Sequence, residues 1–393
     1  MKVAMIYSVP INSIDGASKV VSSFLNNEEL YQQNGVYIDV YSPESGPSNN
    51  ESQRQSLASC LKKIVFKLDF AGVIRTAFGF MFRSERIVKS FVSSGDTEYD
   101  VVFFHEFDTC YQYLKRKRNK RTVLVLHTTG DFYSMLFSYY PLMRYTLYYN
   151  LFLKHVCKVI LKNVDCIVFN SKMAADNFYR FYPKARPDLA TFVNNGVKDI
   201  INTNTVLNHP ITPPYTIVCV GSVTERKGQR FIVEALNKCD KAVRDKVKFL
   251  IVGDGSLKEE LQKKCDQYNL CKNVEFCGLQ TDVVPFLSKA NIFILPSVDE
   301  GMPISILEAM RQGLPVVSTR VGGIPYQVVD KRNGLLIDAS VEGVLFFLNH
   351  IDDYDWVSWG KESRKRYLEI FSMKQMVDNY SRVLKDVGKD ESN

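Results

Sequence analysis

Short runs of β-branched and aromatic residues alternate with segments of helical periodicity along most of the chain. In the second half, residues 215–220 form a β-branched run that stops at Gly221, and a helical pattern follows over 229–238. Residues 247–252 are another apolar run, closed by Gly253-Asp254-Gly255, and 274–277, 292–295, 315–318 and 334–337 read as further strands. Ser256, with Glu259 three residues on, has the form of a capping box and predicts a helix reaching about residue 268. In the first half, 3–7, 36–41, 101–104, 123–126 and 166–169 are strand candidates, several of them separated by helical stretches. Continuous apolar strands with helices between them predict parallel sheets covered on both faces. Three prolines with Asn and Thr mark residues 202–214 as a linker. The expectation is two doubly wound α/β domains, 1–205 and 206–360, facing a central cleft. A helical segment, 361–393, has no strand to serve and caps the second domain or crosses back to the first.

Composition narrows the class. The chain has 393 residues, 46 % apolar and 24 % charged, which excludes wholesale disorder and collagen-like structure. No apolar run approaches the ~20 residues that span a bilayer. The first ten residues carry one Lys ahead of a short apolar stretch without a small-x-small cleavage site, so a buried strand is expected there rather than a signal peptide. Nine scattered cysteines with no C-x-x-C pair suit a reducing cytosol. Five histidines show no metal-ligand spacing, so no metal is expected. The net charge of +7 is uneven: residues 1–205 hold 25 Lys/Arg against 18 Asp/Glu, and the remainder 25 against 25. The positive excess lies wholly in the first half and points to an anionic surface or partner there.

The segment richest in chemistry is Ser297-Val298-Asp299-Glu300-Gly301-Met302-Pro303-Ile304-Ser305-Ile306-Leu307-Glu308-Ala309-Met310. It follows the strand at 292–295 and so lies at the carboxyl edge of a parallel sheet, where open α/β folds bind ligands. Pro303 suits the first turn of a helix and Gly313 its end, so free N–H groups and a positive dipole end would face an anion. Glu300 sits on the loop, and Glu308 about a turn and a half into the helix. A loop carboxylate and a surface glutamate of no special role would give the same spacing.

In its full context this segment resembles the donor site of the retaining family 4 glycosyltransferases (glycosyl transferases group 1). Glu300-x7-Glu308 is followed by Gly313-Leu314-Pro315-Val316-Val317 and Val321-Gly322-Gly323-Ile324-Pro325. Asp15-Gly16-Ala17-Ser18-Lys19-Val20, Asn195-Gly196-Val197, Val220-Gly221-Ser222 with Lys227-Gly228, and Val252-Gly253-Asp254-Gly255 match in order. The resemblance implies the GT-B architecture and a nucleotide diphosphate sugar as donor substrate, with no separate cofactor. It implies that Glu308 bonds the ribose, that Glu300 and the backbone at Ile304 and Ser305 meet the sugar and phosphates, and that Leu279 lies where the backbone meets the base. Lys227 would neutralise the diphosphate, and Gly16 would admit it closely. His127 would contact the donor sugar. Asp131, and His105 with Glu106 at another strand end, are acceptor-side candidates. The family often carries Arg directly after Gly221; this chain has Ser222, and Arg226 is either its replacement or a solvated loop residue.

Two stretches extend the reading. Residues 132–163 hold nine aromatic residues and four Lys/Arg with no acid, and 57–92 carry seven Lys/Arg against two acids at helical apolar spacing. They read as core helices with a basic edge or as a surface facing an anionic membrane; with a lipid-linked acceptor the second is favoured. The run 115–121 is basic, but no nucleic-acid motif accompanies it. The expected protein is a cytoplasmic, peripherally membrane-associated glycosyltransferase acting in surface polysaccharide biosynthesis. A nucleotide-sugar epimerase of the same architecture, or a non-catalytic nucleotide-sugar-binding partner in a glycan assembly complex, are the alternatives. Absence of a P-loop and of a complete G-x-G-x-x-G argues against an NTPase or common dehydrogenase.

Overall fold

The computed structural model describes residues 1–8, 16–43, 70–116, 120–133, 147–200 and 211–389. Among them are twelve strands: β1 (Lys2–Ile6), β2 (Tyr37–Tyr41), β3 (Val101–Phe104), β4 (Arg121–Leu126), β5 (Cys166–Phe169), β6 (Ala190–Phe192), β7 (Tyr215–Val220), β8 (Val247–Val252), β9 (Val274–Gly278), β10 (Ile292–Leu295), β11 (Val316–Thr319) and β12 (Gly334–Ile337). They form two six-stranded sheets, ordered β2-β1-β3-β4-β5-β6 and β12-β11-β10-β7-β8-β9. All pairings are parallel. Every residue of β3, β5, β10, β11 and β12 is buried, as continuous apolar runs require when helices cover both faces.

The chain divides into two compact units, Met1–Val193 with Val377–Asn393, and Asn194–Met376. The passage between them falls ahead of the linker expected at 202–214, most of which lies outside the described residues. Val197 is the reason. Its N–H donates to Phe371 O and its carbonyl accepts from Met373 N–H, at 3.2 and 2.9 Å, which ties it to the second unit before the proline-rich stretch begins. The final helices are Trp356–Arg366, a π-helical turn Tyr367–Phe371, and Met373–Gly388. In the last of these, Tyr380 packs its ring on Phe24 and Phe103 of the first unit's sheet and helix layer, with centroids 5.0 and 5.8 Å away.

Two local expectations change. The helix after β8 spans Lys258–Gln267 with Leu257 at its N-cap, and Ser256 does not cap it. Tertiary ties hold the preceding turn instead: Leu257 N–H donates to Val223 O at 3.1 Å, and Asp254 accepts from Gly255 N–H and Lys258 Nζ. Strand β6 was not foreseen; its three half-buried residues at a sheet edge are too few to show a period. Residues 57–69, 117–119 and 134–146, parts of the basic and aromatic stretches, lie outside the described residues. No helix among the described residues is long and apolar enough to cross a membrane.

Candidate active site

In the second unit, the order β12-β11-β10-β7-β8-β9 reverses between β10 and β7, so the loops leaving those two strands flank a crevice at the carboxyl edge. The β7 loop turns through the short 3-10 segment Glu225–Lys227 to Gly228, whose φ is +72°. A Cβ at Gly228 would lie 2.0 Å from Pro296 O, so only glycine lets this loop abut the β10 loop. On the other side Gly322, at φ +54°, passes so near Glu300 that a Cβ would sit 1.5 Å from its carbonyl oxygen. Glu300 is thereby wedged between two glycine-bearing turns.

Its carboxylate is 6 % exposed and fully engaged. Lys227 Nζ reaches Oε1 at 2.5 Å, Ser297 Oγ donates to the same oxygen at 2.9 Å, and Arg226 Nη1 lies 3.1 Å from Oε2. Arg226 also donates to Asp299 O at 2.9 Å. A buried carboxylate demands such partners, since desolvation of an unpaired charge costs several kcal/mol. Two cations on one carboxylate leave a surplus positive charge, held by a partly buried Lys227 and a half-exposed Arg226. Arg226 is therefore tied to the cluster while half of its side chain stays in solvent.

The helix Ile304–Arg311 begins directly beyond this loop. Pro303 occupies its N-cap rather than its first turn, and no side chain caps it, so its first N–H groups are not consumed by a cap. Gln327, fully buried, fixes the entry by donating to Pro303 O at 3.1 Å. Ile304, Ser305 and Glu308 are half-buried on this helix. Leu279 follows β9 two strands away from β7, and its side chain is 64 % exposed. Ser222 is exposed, and its carbonyl is held by Gln229 Nε2 at 3.0 Å.

The first unit has its own reversal, between β1 and β3. Ser8 N–H, after β1, donates to Glu106 Oε2, after β3, at 2.7 Å. His105 closes β3 and is buried against the rings of Phe24 and Phe103. Its Nδ1 is 3.3 Å from Nε2 of His127, which closes β4, and the two rings stack with centroids 5.6 Å apart. Burial, and then the neighbouring His127, hold the His105 imidazole well below the ordinary histidine range. Asp108 is pushed well above the usual carboxylate range by burial and then by Glu106, against smaller pulls from the backbone N–H groups of Asp108 and Thr109. Asp131 follows Gly130 on the loop after β4, and Gly16 opens the helix Gly16–Leu25. Asn170 and Ser171 end β5, where Ser171 Oγ caps the next helix by accepting from Ala174 N–H.

The second unit thus gathers Lys227, Arg226 and Glu300 into one ion cluster with Ile304, Ser305 and Glu308 on the adjoining helix. In the first unit His105 and His127 touch, and one carboxylate oxygen of Glu106 accepts from Ser8 N–H. Ser297, Gln229, Gln327 and Asp108 were not singled out from sequence. Only Ser297 had a signal, three residues before Glu300 on the same loop. Among the described residues no group of three His, Cys, Asp or Glu is placed to hold a metal ion.

Two six-stranded parallel sheets, each with helices on both faces, define the GT-B glycosyltransferase class of fold. HepE of Anabaena, solved in complex with UDP, superposes with a TM-score of 0.68 over 98 % of this chain and 100 % of that one, at 15 % identity. The family model described as Glycosyltransferase Family 4 matches residues 21–199, and that described as Glycosyl transferases group 1 matches 214–346. The chain belongs to this family. Among curated relatives, the lipopolysaccharide core biosynthesis glycosyltransferase LpsE of Rhizobium meliloti is 27 % identical over 57 % of this chain and 65 % of its own length. The Escherichia coli UDP-Gal:alpha-D-GlcNAc-diphosphoundecaprenol alpha-1,3-galactosyltransferase is 32 % identical over 36 % of this chain and 34 % of its own. The chain therefore spans less than two-thirds of the length of either relative.

Proposed function

We propose that the protein is a retaining glycosyltransferase that moves a sugar from a nucleotide diphosphate donor to a lipid-linked glycan in surface polysaccharide assembly. The observation that carries this is the ion cluster of Lys227, Arg226 and Glu300 at the second unit's strand-order reversal, beside an uncapped helix start. Its surplus positive charge suits a diphosphate. As the bond between the anomeric carbon and the phosphate oxygen breaks, negative charge grows on the leaving group, and a fixed cation stabilises it most at that moment. The acceptor oxygen bonds to the same face of the sugar, and its proton passes to the departing phosphate oxygen. No separate base is required. Lys227 and Arg226 supply the charge that a metal would otherwise bring, which supports a metal-independent reaction. His127 serves the donor sugar, and Glu106 and Asp131 the acceptor.

The polysaccharide relatives, one of them named for a diphosphoundecaprenol-linked substrate, support a lipid-linked acceptor at the inner face of a membrane. So does the first unit's surface. Lys154, Lys158 and Lys162, a turn apart on the helix Leu147–Asn163, join Lys184 and Arg186 around a groove of about 680 Å³ floored by Tyr133. Leu151 and Phe181, each 57 % exposed, are further apolar surface on the same helix and the one after β5. Each Lys or Arg near an anionic bilayer contributes about 1 kcal/mol, screened by salt.

Thermal shift with UDP, GDP, ADP and their sugars tests the donor reading; a ligand at about 100 times its Kd adds ~2.7 kcal/mol. Glu308→Ala should weaken the stabilising donor by ~1.5–3 kcal/mol, the loss of a charged hydrogen-bond acceptor. Transfer to a diphosphoryl-lipid acceptor, with the anomeric configuration read by NMR, tests retention. If no nucleotide stabilises the protein, the donor site is misassigned. If donor is consumed only by isomerisation, an epimerase replaces the transferase.

A further inference from the structure

The two imidazoles at the carboxyl edge of the first unit carry the inference. His105 is not on the surface: it is 4 % exposed, wedged edge-on between Phe24 and Phe103, with centroids at 5.3 and 4.8 Å. Only its Nδ1 meets a polar group, His127 Nε2 at 3.3 Å; its Nε2 has no hydrogen-bond partner. The hydrogen bond between the two rings carries one proton, so the donor must be identified; burial keeps His105 neutral. A neutral imidazole carries a single N–H. Placing it on His105 Nε2 would bury a donor with no acceptor, which native interiors rarely tolerate; an unpaired ring acceptor is the lesser cost.

We infer that His105 is a positioning residue: its Nδ1–H donates to His127 Nε2, fixing His127 as the tautomer that bears its proton on Nδ1. The nitrogen on the other side of the His127 ring then carries its only N–H. Protonation of His105 would remove nothing from this bond, but burial keeps that ring neutral, so the pair does not become two adjacent cations. The sequence shows only two histidines at strand ends, at positions 105 and 127. The register of β3 against β4, which pairs Phe104 with Leu124, brings them side by side. The role in transfer rests on the proposed reading of His127 as the residue facing the donor sugar; the tautomer does not.

Long-range proton–nitrogen correlation spectra of the histidine rings read the tautomer directly and need no activity. The wild-type protein should show His127 with a bare Nε2 and a protonated Nδ1, and His105 with its proton on Nδ1. His105→Phe fits the aromatic nest without a donor and should release His127 to the Nε2–H form. His105→Asn, whose amide N–H can occupy the place of Nδ1–H, should retain the wild-type tautomer. In transfer assays the Phe variant should lose roughly tenfold in kcat, the upper range for one neutral hydrogen bond, with donor KM changed less than about twofold. The Asn variant should recover most of that loss. A wild-type His127 protonated at Nε2, or a Phe variant with unchanged tautomer, overturns the inference. The expected spectra in a protein that transfers no sugar would leave the pairing standing and remove the transferase reading instead.

Discussion

The carboxyl edges of the two sheets use one topological device to opposite electrostatic ends. In each, the strand order reverses and the loops on either side of the reversal meet through a glutamate. In the second unit, Glu300 meets two cations and a hydroxyl, and the cluster keeps a net positive charge. In the first, Glu106 meets a backbone N–H, and its neighbours are driven towards neutrality: Asp108 pushed up, His105 pushed down. On the proposed reading the second edge holds an anion whose charge grows, whereas at the first edge His105 and Asp108 add little fixed charge. The fold alone would not tell them apart; the residues that follow each strand do.

The sharpest break in this comparison is Lys227→Ala. If the second edge stabilises developing charge, turnover should fall roughly 10²–10³-fold, the usual cost of removing one fixed group facing that charge. Donor affinity measured by calorimetry should fall much less. A proportionate fall in both would make Lys227 a ground-state contact only.

Glu300→Gln probes the same cluster without the substrate. The partly buried Lys227 would keep its charge and lose its buried counter-ion, a loss of about 3 kcal/mol by the general cost of breaking such a pair. Urea melts should show it as a lower midpoint at constant slope. A bound nucleoside diphosphate should restore part of the deficit, because its phosphates replace the missing carboxylate. A variant as stable as its parent would mean that solvent already screens the pair.

Much of this was legible in the sequence, for a physical reason. Strands such as 215–220, 247–252 and 292–295 are buried on both faces, so their apolar runs are uninterrupted, and all three have the expected bounds. Glu300 and Glu308 stood out because a loop and helix at a strand's end concentrate them within nine residues. What escaped depends on distant contacts. Ser256 has the local form of a cap, but Leu257 is held by Val223 O, which shifts the helix start. Arg226 looked equally like a solvated loop residue, since nothing in its neighbours announces a bond to a carboxylate 74 positions on; the two loops meet only because β7 and β10 are adjacent. The His105–His127 contact has the same origin, in the register of β3 and β4.

At the first edge the test is pH. A histidine whose folded pKa is depressed binds a proton in the unfolded chain, and not in the fold, as pH falls below its ordinary value near 6.5. Stability is thus lost on acidification through that range, by up to about 1.4 kcal/mol per pH unit for one group. His105→Phe should flatten this slope between pH 6.5 and 5, as read by melts at several pH values. An unchanged slope would show that His105 charges without cost and is not desolvated as its burial indicates.

The smallest effect distinguishes the two cations on Glu300. Arg226 is 49 % exposed against 12 % for Lys227, so solvent and salt screen it more. Arg226→Ala should therefore weaken donor binding by only about 1 kcal/mol, roughly fivefold, and less at high ionic strength. The question is whether that charge stands in for the arginine that the resemblance would put at Ser222. Ser222 is exposed beside the same loop, its carbonyl held by Gln229, so a longer side chain there has room to extend. Adding Ser222→Arg to Arg226→Ala should restore donor affinity if the two positions supply interchangeable charge to one diphosphate. If the double variant binds no better than Arg226→Ala, Arg226 acts by bracing Glu300 and Asp299, and the second edge holds its donor with Lys227 and the helix start alone.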